Sequence, residues 1–159
     1  MEIKTVKIEN EGNNFILGHA HFIKTVEDLY EAVITSCPNA KFGIAFSEAS
    51  GKCLIRVEGN DESLKKLAAR NLEKLKAGHT FIIIMKEAYP ISMLNAVKNI
   101  QEVCEVFCAT ANETDVIVAE NERGCGILGV IDGSMPKGVE GNEDAKARKE
   151  FLRKIGYKL

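Results

Sequence analysis

Apolar and charged residues interleave in the opening MEIKTVKIE, where Ile3, Val6 and Ile8 sit among lysines and glutamates, and the spacing predicts a half-exposed strand. The polar NEGNN then turns the chain, and FILG supplies a short second strand leading into HAHFIKT. From Thr25 the period lengthens. Val26, Leu29, Tyr30, Val33 and Ile34 recur at helical spacing behind a capping-box-like TVED, and Ser36, Cys37 and Pro38 end the helix. KFGIAFSEA and KCLIRVEG read as a hairpin about Ser50 and Gly51. Asn60 and Asp61 cap a second helix with Leu64, Leu67, Ala68, Leu72 and Leu75 along one stripe, charges opposite, and Gly78 at the position of a left-handed C-cap.

HTFIIIMKE breaks the alternation. A continuous apolar run of this length predicts a strand covered on both faces, and therefore central in its sheet. Pro90 opens a short helix using Met93, Ala96, Val97 and Ile100, and EVCEVFCATA and DVIVAEN give two more strands. Six of the thirteen glycines fall in RGCGILGVIDGSMPKGVEG, residues 123–141, which is expected to complete the sheet. Asn142 caps a last helix, with Glu143 and Asp144 in its first turn and Arg153 and Lys154 near its end, as the helix dipole favours. The pattern predicts an α/β fold of the α+β kind: one domain over residues 1–159, with a mixed sheet of hairpins and a central buried strand, covered by helices. IAFSEASGKCLIRVEG and VIVAENERGCGILGVIDG echo each other in strand, acidic turn and strand, which an old duplication or convergent hairpin chemistry explains.

Composition narrows the function more than the fold. A chain of 159 residues buries roughly 70% of the surface its unfolded form exposes, and three prolines leave no stiff linker. The net charge of -2 gives no pull toward nucleic acid, because Lys65, Lys66, Arg70, Lys74 and Lys76 are interspersed with acids along the second helix. No apolar run approaches the roughly 20 residues of a membrane helix, so no membrane role is indicated. Cys37, Cys53, Cys104, Cys108 and Cys125 show neither CxxC nor zinc-finger spacing and no secretion signal precedes them, which predicts reduced thiols in a cytoplasm.

Candidate chemistry lies in three places. The glycine segment contains GCGILG, a GxGxxG match at Gly124, Gly126 and Gly129, but VID continues as a strand and Gly133 and Pro136 follow, so no helix opens where a dinucleotide fingerprint needs one. With Asp132, Lys137 and Glu140 among its glycines, the segment reads as backbone held close to a ligand or to another stretch of chain. Lys137, followed by Gly138, resembles a phosphate-reaching lysine without the GK[ST] of a Walker A motif. Second, His19 and His21 bracket Ala20 between a strand end and a helix N-terminus, with Lys24 beside them. Free amides and the dipole favour an anion there, and an imidazole in that place suits acid/base work, phosphoryl acceptance or simple packing at a strand end. As zinc ligands the pair would need a third group from Glu48, Glu120 or Asp132, which nothing marks. His79 reads as structural, and Cys104 and Cys108, sharing a strand face, as core. Third, Lys86, Glu87 and Tyr89 follow the central strand, where Tyr89 suits stacking on a base and covering the core equally well.

Taken together, HFIKTVEDLYEA, KEAYPISMLNAVKNIQEVCEVFCATAN and RGCGILGVIDGSMPKGVE make the chain, over nearly its whole length, resemble the small prokaryotic adenosine-specific kinase family. The resemblance implies an α/β domain that binds adenosine and AMP, forms homo-oligomers and handles phosphate through a histidine. The HFIKT tract carries that role to His21. The expected ligand region is then the glycine segment, with Gly124, Gly126, Gly129, Asp132, Gly133, Lys137 and Gly138, joined by Lys24, Lys86 and Tyr89. Two functions follow from this reading. One is a phosphotransferase acting on adenosine, where Mg2+ would accompany a nucleotide phosphate donor. The other is a non-catalytic sensor or store of AMP or adenosine, which the missing Mg-ATP cradle favours. A scaffold whose glycines serve only subunit packing is the third.

Overall fold

The computed structural model describes residues 1–159. Its strands are β1 (Glu2–Lys7), β2 (Asn14–Ala20), β3 (Lys41–Ser47), β4 (Ile55–Gly59), β5 (Thr80–Lys86), β6 (Val103–Thr110), β7 (Thr114–Asn121) and β8 (Gly124–Asp132). The helices are α1 (Thr25–Ser36), α2 (Glu62–Leu75), α3 (Leu94–Lys98) and α4 (Asn142–Lys154), with a 3-10 turn at Pro90–Ser92 before α3. The α+β class holds, but the strands divide between two sheets instead of one. Five run in the order β4-β3-β5-β2-β6 and three in the order β1-β7-β8, and every ladder is antiparallel. The glycine segment does not extend the main sheet. Its strand β8 pairs with β7, and Val116, Val118 and Ile127 turn inward to cover one face of the larger sheet.

The central place expected for HTFIIIMKE is where β5 lies, and alternation explains how it is covered twice. Phe81, Ile83 and Met85 point to a core completed by Leu29 and Val33 of α1 and Val97 of α3. Ile82 and Ile84 point the other way, to Leu64, Leu67, Leu72 and Leu75 of α2 and to Val116 and Val118. Asn71, itself buried, ties the layers together: its Oδ1 accepts from the Glu9 amide at 2.8 Å and its Nδ2 donates to the Glu9 and Leu67 carbonyls.

Several local expectations change. Asp61 caps α2 through the Leu64 amide at 3.0 Å, but the left-handed residue that ends the helix is Lys76, with φ of 52°, and not Gly78. Turning there lets the Lys76 carbonyl accept the Cys125 amide at 3.0 Å, which stitches α2 to β8. Thr25 does not cap α1; its hydroxyl donates backward to the Phe22 carbonyl at 2.7 Å. Asn142 is the first helical residue of α4, and Asp144 closes that end by accepting the Gly141 amide. Cys104 and Cys108 do not share a face. A bulge in β6, where the register against β2 shifts between Leu17 and Gly18, leaves Cys104 exposed and Cys108 in the core. Burial pushes the Cys108 thiol up to about 12, with a smaller contribution from Asp132. No helix is long and apolar enough to cross a membrane.

Candidate functional site at the end of β2

Strand β2 ends in a clamp. The Ala20 amide donates to His79 at the start of β5, and the His21 amide donates to Glu102 just before β6, both at 2.9 Å. The chain then turns sharply, with Phe22 at φ of 100°, a region that costs a side-chain-bearing residue of order 1–3 kcal/mol. Thr25, fully buried, holds that turn by donating its hydroxyl and its amide to the Phe22 carbonyl. His21 is consequently exposed, and the Phe22 ring stands beside it, 57% exposed, with ring centroids 6.4 Å apart in an edge-on arrangement. The amides of Phe22, Ile23, Lys24 and Val26 donate to no group of the chain, so the loop presents free N–H groups at the positive end of α1.

The charges around the loop are paired. The Lys24 ammonium lies 2.8 Å from Asp28 and 3.6 Å from Glu102. Asp28 raises the Lys24 pKa, and Lys24 in turn holds the Asp28 carboxyl below its ordinary value. Glu102 is only 2% exposed and neither of its carboxylate oxygens has a hydrogen-bond partner. An anion arriving at His21 therefore meets a lysine already shared by two carboxylates. A second cation is Arg56 on β4, which pairs with Glu48 at 2.7 Å and donates to the Ile23 carbonyl at 3.5 Å. The other two histidines lie at the same end of the sheet. His79 stacks on Phe46 with 6.1 Å between centroids and meets His19 edge-on at 5.9 Å. Burial, and then the charge of His79, lowers the His19 pKa. No three His, Cys, Asp or Glu side chains converge as a metal-binding group.

A cavity of about 580 Å³ lies between the end of α2, the β3–β4 hairpin and the start of β8; its wall includes Glu48, Lys76, Asn121, Arg123, Gly124 and Gly126, and none of residues 21–24. That volume is in the range of small-molecule sites. Glu48 thus belongs to the cavity wall and, through Arg56, to the loop that carries His21.

The expected ligand residues are dispersed over the molecule. His21 and Lys24 share the loop. Gly124 and Gly126 line the cavity, and Gly124 marks a real close approach: with φ of 145°, its added Cβ would lie 3.0 Å from the Lys76 carbonyl oxygen. Lys86 and Tyr89 border a smaller cavity of about 200 Å³ with Gly12 and Asn14, at the opposite end of β2 from His21, because Asn14 pairs with Met85 and His19 with Thr80. Asp132, at the end of β8, accepts from Thr110 of β6 and from Asn112 in the β6–β7 turn, and Gly133 makes the left-handed turn against Asn112. Gly126, Gly129 and Gly138 would give a Cβ nothing to touch within 4 Å, so no segment of this chain approaches them closely. Lys137 and Gly138 lie in the exposed stretch after β8.

Sequence reading missed Arg56, Asp28, Glu102 and Phe22. Arg56 is brought in by the β3–β4 register, which sets it opposite Phe46. For Phe22 a local signal existed, the exposed-looking aromatic directly after HAH, but its backbone strain depends on the clamp around it.

Among curated proteins no relative matches the chain. It is similar to the crystal structure of the PH1918 protein from Pyrococcus horikoshii OT3, with 46% identity and a TM-score of 0.94 over 99% of this chain and 98% of that one. Residues 5–158 match the family described as adenosine specific kinase. A match of that extent, on the fold and the tracts already described, makes the chain a member of the adenosine-specific kinase family.

Proposed function

We propose that this protein is a phosphotransferase acting on adenosine, with the nucleoside in the cavity beside β8 and the phosphoryl group handled by His21. The observation that carries this is the Glu48–Arg56 pair, which links the cavity wall to the His21 loop. In the reaction a neutral imidazole nitrogen attacks the phosphorus of a donor, the bond to the donor's leaving oxygen breaks, and that oxygen keeps the electron pair. The adenosine hydroxyl oxygen then attacks the phosphorus and the P–N bond breaks. The hydroxyl proton goes to the released imidazole nitrogen, and AMP leaves. The free amides of Phe22 to Lys24 and the cations Lys24 and Arg56 suit the charge of the phosphorylated ring.

A binding module that holds adenosine or AMP without turnover is the second reading. It is favoured by the pairing of both cations, Lys24 and Arg56, with carboxylates. His21→Gln separates the two. Calorimetry is expected to find adenosine affinity within about twofold of wild type, while phosphoryl transfer to adenosine falls by about two orders of magnitude or more, the scale on which loss of a catalytic group is felt. Transfer preserved in the variant sinks the histidine mechanism, and absence of transfer in the wild type with every nucleotide donor supports the module.

A further inference from the structure

Among the charged side chains around the His21 loop, Glu102 stands apart because water does not reach it. It is 2% exposed, and neither carboxylate oxygen has a hydrogen-bond partner. Its backbone is fixed, since its carbonyl accepts the His21 amide at 2.9 Å in the clamp that ends β2. Its one ion-pair partner is the Lys24 ammonium at 3.6 Å, too far for a hydrogen bond and close enough to serve as counter-ion. A carboxylate taken out of water without hydrogen bonds is tolerated only while that cation stays.

The other two carboxylates depend less on their cations. Asp28 makes the shorter contact with Lys24, at 2.8 Å, but its side chain is 29% exposed, so water can replace the ammonium there. Glu48 pairs with Arg56 at 2.7 Å, is 23% exposed and also accepts the Leu54 amide at 3.4 Å. Either would keep a partner if its cation turned toward a ligand. Glu102 would keep none.

We propose that Glu102 is a positioning residue acting through Lys24: it withholds the ammonium from anions at the His21 loop, and so tilts the site toward a neutral nucleoside over a phosphate-bearing one. This rests on the reading above, in which phosphate is handled at His21. A phosphate reaching the free amides of Phe22, Ile23 and Lys24 gains full use of the lysine only by stripping Glu102 of its counter-ion. Uncharged adenosine meets no such opposition. In a transfer to adenosine the anion is the product, so the same carboxylate favours its departure.

Titration of the full chain with inorganic phosphate, followed by the imidazole resonances of His21, tests this without a nucleoside; the signals lost in His21→Gln assign them. Glu102→Gln is expected to bind phosphate about tenfold more tightly than the wild type, the scale of one charge removed a few ångströms away, and Asp28→Asn no more than about twofold. Adding Lys24→Met to Glu102→Gln is expected to abolish the gain, because it passes through the lysine. Unchanged phosphate affinity in Glu102→Gln overturns the proposal, and so does a gain that Asp28→Asn equals or that survives the loss of Lys24. Glu102→Gln removes a buried charge, so its urea midpoint is expected at or above that of the wild type. Should it not fold, Glu102→Met takes its place, and failure of both marks a structural carboxylate and overturns the proposal. By calorimetry, Glu102→Gln is expected to tighten AMP and leave adenosine unchanged, and parallel changes overturn the preference. A wild type that neither binds nor phosphorylates adenosine sinks the phosphotransferase reading alone, because the phosphate titration stands without it.

Discussion

Strands β5 and β8 are both rich in apolar residues, TFIIIMK against GCGILGVID, yet six of the seven residues of β5 are buried and none of the nine of β8 is. The difference lies in their neighbours. β5 has a strand on each side and helices or a second sheet over both faces, so each side chain leaves water whichever way it points. β8 is an edge strand with a core behind it and nothing in front. Stability is concentrated where both faces are covered, and capacity for contact is left where one is not.

The contrast is sharpest at two glycines. A Cβ on Gly43 of β3, the strand next to β5, would lie 2.2 Å from the backbone of Leu64 and Lys65 in α2, and backbone cannot rotate out of the way. Gly43→Ala is therefore expected to cost about 3 kcal/mol or more in urea melts, the overpacking range and above. A loss below about 1 kcal/mol would mean that α2 rides loosely on the sheet and that the two regions differ less than their burial suggests.

A smaller effect separates the covered sheet from its charged end. Burial holds the folded pKa of His19 below its ordinary value of 6.5, so the unfolded chain takes up the proton first. The penalty is absent well above pH 6.5 and grows as the pH falls through 6.5 toward the folded value. His19→Asn should flatten the fall in stability between pH 7 and 5, as measured by urea midpoints across that range. An unchanged slope would place the sensitivity in other groups.

The smallest change is expected at Gly129. Its Cβ would meet nothing within 4 Å, so Gly129→Ala should alter the stability of the isolated chain by about 0.5 kcal/mol or less, as surface substitutions do. A large loss in urea melts would show that this face of β8 is covered.

Much of the fold was legible along the chain because it rests on local periodicity. The two-sided burial of β5 shows in its unbroken apolar run, and Asp61 is a cap by residue type and position. The division into two sheets was not legible, since β1 pairs with β7, more than a hundred residues away, and a half-exposed strand reads the same at either edge. At the site, residue type and the strand-to-helix position marked His19 and His21 together, and the resemblance of the HFIKT tract chose His21 between them. The company it keeps was hidden. Arg56 arrives through hairpin register, Glu102 through the clamp between β2 and β6, and Lys86 with Tyr89 is carried to the far end of the sheet by antiparallel pairing.

By itself the sequence determined the elements, the central strand, the histidine loop and the family tracts, because propensity, caps and apolar spacing act over a few residues and leave a local record. Only the tertiary structure decided which charges meet, which cavity wall Glu48 and Arg56 tie to the loop, that Gly126 and Gly129 of β8 face open space and that α4 has nothing to pack on. Those outcomes depend on distances between segments remote in sequence, and neither composition nor period encodes such distances.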